Sequence, residues 1–201
     1  MGVGVKGVVL IIALVVAVVT ATAYFTTSRR HEVGEGLVGP IADILGGVKN
    51  RFTVRSEAFT YGGSIPKKYT CDGVDTSLPV SWEGKLNGVK SFALIMYDPD
   101  APRGVFYHWI LYNIPQGTTS LPEGLVKKPV TAYGLQCIND FGDVGYGGPC
   151  PPPGTRHRYF IVVLALNKTL ELPQKCRVSD LLQAVKGSVI AYGMTMGYYG
   201  R

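Results

Sequence analysis

Charge is scarce in this chain. Only 17% of its 201 residues are Asp, Glu, Lys or Arg, and there are three His. No block of basic residues occurs: Lys67-Lys68, Lys127-Lys128 and Arg156 with Arg158 stand in pairs at most. A net charge of +6 spread in this way lacks the clustered basic face of a nucleic-acid binder and reads as a solvated surface of mixed sign. No repeat of fixed period is found, which argues against a solenoid or propeller. Several catalytic signatures are missing as well. There is no G-x-S-x-G nucleophile elbow and no H-E-x-x-H metal motif. The glycine-rich stretch Gly145-Tyr146-Gly147-Gly148 is not followed by the Lys-Ser/Thr of a phosphate-binding loop. Disorder is excluded in turn, because 46% of the residues are hydrophobic and 10% aromatic.

What is present begins with a long apolar run. Val8 to Phe25 carries no charge and approaches the roughly 20 residues needed to span a bilayer. Lys6 interrupts its extension toward the start, and Lys can reach the interface along its own aliphatic stem. The expectation is a single-pass N-terminal transmembrane helix within 1–28. The competing reading is a secretory signal with Ala21-Thr22-Ala23 as the cleavage site, giving a form secreted after cleavage near Ala23. Lys6 and the free amine on one side balance Arg29 and Arg30 on the other, so charge does not set the orientation. The short leader resembles an export signal, which favours a domain outside the cytoplasm. Residues 29–50 are rich in Gly and read as a tether, with a short apolar patch from Ile41 to Leu45 that can form an amphipathic turn against the membrane or the domain.

The domain proper is expected at 51–201. Ser91–Asp98 and Phe106–Ile114 are short apolar or aromatic runs that favour strands. Arg158–Leu166 is continuously apolar after its first residue, which implies cover on both faces. Weaker strands are expected at Phe52–Arg55, Val80–Glu83 and Thr131–Cys137. One helix is persuasive, capped by Ser179, running from Asp180 to Lys186 and stopped by Gly187. Many strands with one helix predict a mainly antiparallel β-fold with a C-terminal helix.

Four blocks occur in order: DPDAP (98–102), HW (108–109), GGPCPPPG (147–154) and HRY (157–159). Together they resemble the phosphatidylethanolamine-binding protein family, which includes the Raf kinase inhibitor proteins. CDG (71–73), NDFG (139–142) and MGYYGR (196–201) are similar to its bacterial and archaeal branch. The resemblance covers about 52–201. It implies a large central antiparallel sheet, a smaller second sheet and a pocket at one end that accepts phosphate-like groups, phospholipid head groups among them. It places Asp98, His108, His157 and Tyr159 in that pocket, with Gly147, Gly148, Pro149 and Pro151 at its rim. The rim would offer backbone N–H groups. Pro149 and Pro151 have none, so Cys150 N–H is the candidate donor. Arg156, directly before the pocket His, stands where the loop is shorter than in many members and can add a charge.

The residue types suit anion capture, since imidazoles and turn amides both donate hydrogen bonds. Asp98 is the odd member. It would orient a neighbouring His or meet the amine of an ethanolamine head group. The expected function is a membrane-tethered module that binds an anion or phospholipid head group and regulates a partner, such as a protease or kinase it inhibits. No cofactor, no resident metal and no nucleic acid is called for. Two alternatives remain: a hydrolytic or metal-dependent enzyme using Asp98, His108 and His157, and a structural surface protein. The four Cys (71, 137, 150 and 176) permit two disulfides in three pairings, and at least one is expected.

Overall fold

The computed structural model describes residues 37–201. The apolar run at 8–25 and the candidate cleavage site near Ala23 lie outside them. Among the described residues no helix is long and apolar enough to cross a membrane. One compact unit spans Val38–Arg201. Its strands in chain order are β1 (Thr53–Arg55), β2 (Val80–Glu83), β3 (Ser91–Asp98), β4 (Phe106–Pro115), β5 (Ser120–Leu121), β6 (Val130–Thr131), β7 (Gly134–Gln136), β8 (Arg156–Leu166) and β9 (Val189–Gly200). Two α-helices, α1 (Gly39–Leu45) and α2 (Val178–Val185), and a short 3-10 helix at Lys67–Tyr69 complete it.

The strands form two sheets. The larger has the order β6-β7-β4-β3-β8-β9 and the smaller β1-β2-β5, with every named pair antiparallel. Every residue of β3 is buried, because cover lies on both faces of the strand. Phe92, Leu94 and Met96 join one core cluster with Ile161 and Val163 of β8 and with Val54, Val80 and Trp82 of the small sheet. Ala93, Ile95 and Tyr97 point the other way and are equally buried. The helices account for that side: α2 contacts β4, and α1 contacts both α2 and β9.

Several local expectations change. Residues 38–50, read as the end of a tether, carry α1, whose Ile41 and Leu45 are buried, so the amphipathic turn lies against the domain. The strand expected at 131–137 is split into β6 and β7 by a tight turn at Thr131–Gly134, where Gly134 has φ +137°. Helix α2 starts at Val178, with the Asp180 carboxylate accepting from Arg177 N at 2.7 Å, so Ser179 lies inside the helix. Gly187 follows the helix in the left-handed region, φ +70°, as its place in the sequence suggested.

Strand β9, the longest, was not anticipated. Gly193 and Gly197 weaken its apolar pattern, and Gly is unfavourable in strands. Both positions carry close neighbours. A Cβ on Gly193 would collide with the Phe52 carbonyl, and one on Gly197 with Ile65 and Phe59. These neighbours belong to segments that seal the outer edge of β9. Arg51 bridges Tyr192 and Ser64 bridges Tyr198, both in parallel sense. The Phe52 N–H donates to Tyr192 O at 3.2 Å and the Ile65 N–H to Tyr198 O at 2.7 Å. An open edge would be a template for association with other chains.

All four cysteines are paired. Cys71 joins Cys150, and Cys137 joins Cys176.

Candidate binding site

Alternation along the strands decides which side chains reach the site. Asp98 continues the series Phe92, Leu94, Met96, and His157 and Tyr159 continue Ile161, Val163. All of them therefore face the side of the large sheet that carries the main core. Near Asp98 and His157 the small sheet no longer covers that face, and a cavity of about 630 Å³ opens instead.

His108 arrives by another route. Met96 pairs with Trp109, but the next residue, Tyr97, pairs with Tyr107. His108 is thus the extra residue of a β-bulge, a device that re-aims a side chain and recurs beside functional sites. Its ring packs edge-on against Tyr159 at 5.2 Å and Phe141 at 5.4 Å.

The two imidazoles are held in matching ways. His108 Nδ1 lies 2.7 Å from Gly147 O. A carbonyl can only accept, so Nδ1 carries the proton and Nε2 of the neutral ring is left as an acceptor. Burial pushes the His108 pKa below its ordinary value of 6.5, against the opposing effect of the Gly147 carbonyl. His108 was expected as a donor. In this tautomer it is an acceptor, and a ligand meeting Nε2 must bring the hydrogen. His157 Nδ1 lies 2.7 Å from Asp98 Oδ2, both side chains being buried. Asp98 Oδ1 accepts the Asp100 N–H at 2.8 Å. Asp98 is thereby an orienting partner of His157, one of the two roles foreseen for it.

The rim behaves differently from expectation. Gly147 N–H is spent on His108 O at 2.9 Å, and Gly148 N–H on Asp75 Oδ1 at 2.6 Å. Gly147, Gly148 and Pro149 fasten the loop and do not line the cavity, whereas Cys150 and Pro151 do. Tyr159 is not in the lining; it is fully buried against His108, with its hydroxyl facing the Cys150 backbone and the Asp98 carboxylate. Burial, with Asp98 nearby, raises that phenol well above its usual range. Arg156 points elsewhere: its guanidinium stacks on Tyr198 at 4.0 Å. The basic residue lining the cavity is Arg103. Arg158 holds Asp100 through two side-chain hydrogen bonds of 2.5 and 2.9 Å, which keep the Asp100 carboxyl below its ordinary pKa.

Sequence reasoning missed Arg103, Phe106, Asp140 and Phe141, which also line the cavity. Asp140 and Phe141 lie in NDFG, so the motif pointed to the place without giving the role. Asn139 organises that loop, its Oδ1 accepting from the Phe141 and Asp143 N–H groups. Among the described residues no three His, Cys, Asp or Glu side chains form a cluster able to hold a metal ion.

A family model described as phosphatidylethanolamine-binding protein matches residues 55–200. The chain belongs to the phosphatidylethanolamine-binding protein family. Among its relatives is a UPF0098 protein of Aquifex aeolicus, 48% identical over 150 residues that cover 74% of this chain and 88% of that one. Another, from Pyrococcus horikoshii, is 43% identical over 164 residues, covering 78% and 81%. Two solved members of the family share the fold. Escherichia coli YbcL matches with a TM-score of 0.70 at 30% identity, over 75% of this chain and 98% of its own. The Chlamydia trachomatis homologue CT736 matches with 0.68 at 37% identity, over 76% and 99%. The residues matched by the family model, 55–200, include Asp98, His108 and His157.

Proposed function

We propose that this chain is a binding and regulatory module whose cavity takes a small phosphate-like anion or phospholipid head group. One observation carries the reading: Asp98, His108 and His157, distant in sequence, line one cavity as buried side chains, and each imidazole has its Nδ1 fixed by a partner. The volume lies within the roughly 300–1,000 Å³ of small-molecule sites. The acceptor at His108 and the carboxylates of Asp98 and Asp140 favour a ligand that also carries donors. A phosphate monoanion or the ammonium of an ethanolamine head group meets that requirement.

A finer reading sets the module on an N-terminal anchor at 8–25, outside the cytoplasm, with a protease or kinase as partner. The two disulfides support an oxidising compartment. A hydrolytic reading draws on the Asp98–His157 pair, which has the form of a base and its orienting carboxylate. Turnover of a phosphoester, lost in His157→Ala, would establish that alternative.

Calorimetric titration of the purified chain with phosphate and O-phosphorylethanolamine tests the binding reading. His108→Ala and His157→Ala are each expected to weaken binding about ten- to a hundredfold, the loss of one charge-assisted hydrogen bond, with the circular dichroism spectrum unchanged. Wild-type affinity in both variants would place the anion elsewhere.

A further inference from the structure

We propose that the Cys71–Cys150 disulfide is a redox-operated latch on the cavity, and that its reduction by a dithiol frees the rim and lowers affinity for anions. The second half of this statement rests on the anion-binding reading above; the first does not.

The argument starts from the rim sequence. Between Pro149 and Pro153 only Cys150 has a backbone N–H, because the other four residues are proline. A stretch with one N–H cannot be held down by ladder hydrogen bonds. The residues that hold the loop flank it: Gly147 through His108, Gly148 through Asp75, Pro149 O through the Cys71 N–H at 3.1 Å, and Gly154 N–H through Arg201 O at 2.7 Å. The part that lines the cavity, Cys150 to Pro152, is tied covalently by the bond from Cys150 to Cys71. That bond crosses to the segment 71–75, which clasps the rim through Cys71 and Asp75.

The two disulfides differ in access. Cys71 is exposed and Cys150 half-buried, whereas Cys137 and Cys176 are each about 1% exposed. A reducing thiolate reaches Cys71 Sγ, forms the mixed disulfide there and expels Cys150 as a thiolate. The second sulfur of the dithiol then displaces Cys71. Two electrons pass from the dithiol to the protein, the dithiol closes to its cyclic disulfide, and its two protons balance the two protein thiols. The geometry favours this direction of cleavage, because Arg201 Nη1 lies 3.7 Å from Cys150 Sγ, where a cation stabilises the leaving thiolate. Arg201 is itself steadied by Asp72 at 3.1 Å. Once the bond is open, the proline-rich rim has lost its covalent tie, which opposes a bound anion.

The test uses the full chain and limited dithiothreitol. Alkylation followed by peptide mass analysis should label Cys71 and Cys150 and leave Cys137 and Cys176 bonded. In that form the Gly147, Gly148, Cys150 and Gly154 amides should exchange hydrogen faster, and calorimetry should show phosphate binding weakened about tenfold. The double variant Cys71→Ser/Cys150→Ser should match the reduced form without reductant. Labelling that begins at Cys137 and Cys176, or unchanged amide exchange after reduction, overturns the latch. Equal phosphate affinity in both forms overturns the coupling. An oxidised chain that binds no phosphate removes the anion-binding reading instead, and the exchange rates still decide the latch.

Discussion

His108 shows how one atom's hydrogen bond sets a residue's chemistry. The Nδ1–H given to Gly147 O fixes the tautomer, and burial, against that bond, keeps the ring's pKa below the ordinary 6.5. In the unfolded chain the same ring titrates near 6.5, so below that pH the unfolded state binds the proton that the native ring refuses. The contribution of His108 to stability is therefore complete above about pH 6.5 and declines as pH falls from there toward the lower native pKa. Urea titrations at pH 5 and pH 7.5 should show this loss, and in His108→Gln the difference between the two pH values should shrink. An equal difference in variant and wild type would assign the loss to other groups. The residue scale also shows how far the sequence reached and where it stopped. Asp98, His108 and His157 were legible because each sits in a short block whose order is distinctive. The consumption of Gly147 and Gly148 N–H groups was not, because it depends on Asp75 and on a backbone carbonyl of β4, which no local pattern reveals.

Among the elements, the central strands could be read directly, since continuous apolar runs report cover on both faces. Two features could not. The bulge at His108 is a mismatch between β3 and β4 and belongs to neither strand alone. Strand β9 was hidden by glycines whose purpose is to admit Phe52, Phe59 and Ile65. Helix α1 was half visible as the apolar patch 41–45 in a glycine-rich stretch, but only the fold shows what it packs against. Leu45 is fully buried there, and α1 contacts α2 and β9. Leu45→Ala should cost about 2–5 kcal/mol, the usual range for a buried leucine. Chemical denaturation would detect it. A loss below about 0.5 kcal/mol, the level of an exposed site, would mean that α1 only rests on the surface.

At the scale of the whole molecule, the order of the large sheet sets the pace of its assembly. In the large sheet β3 with β4, β6 with β7 and β8 with β9 join strands consecutive in the chain, while the central β3–β8 pair joins Ser91 to Leu166. Folds dominated by such distant pairings gain their reward only after long loops have closed, and comparable β-domains fold in milliseconds to seconds. Stopped-flow refolding with both disulfides intact should fall in that range; a main phase in microseconds would mean that local contacts dominate. The sealing of β9 by 51–52 and 62–65 has a consequence for the chain as it is made. Those segments leave the ribosome long before the strand they cover. Through that interval they have no partner, β3 has a neighbour on one side alone until β8 is made, and the greasy surface of both lies open. Synthesis at roughly 5–20 residues per second stretches the interval to several seconds. Maturation of this protein thus begins with a wait for its last strand, and the early segments must stay apart from other nascent chains until that strand arrives.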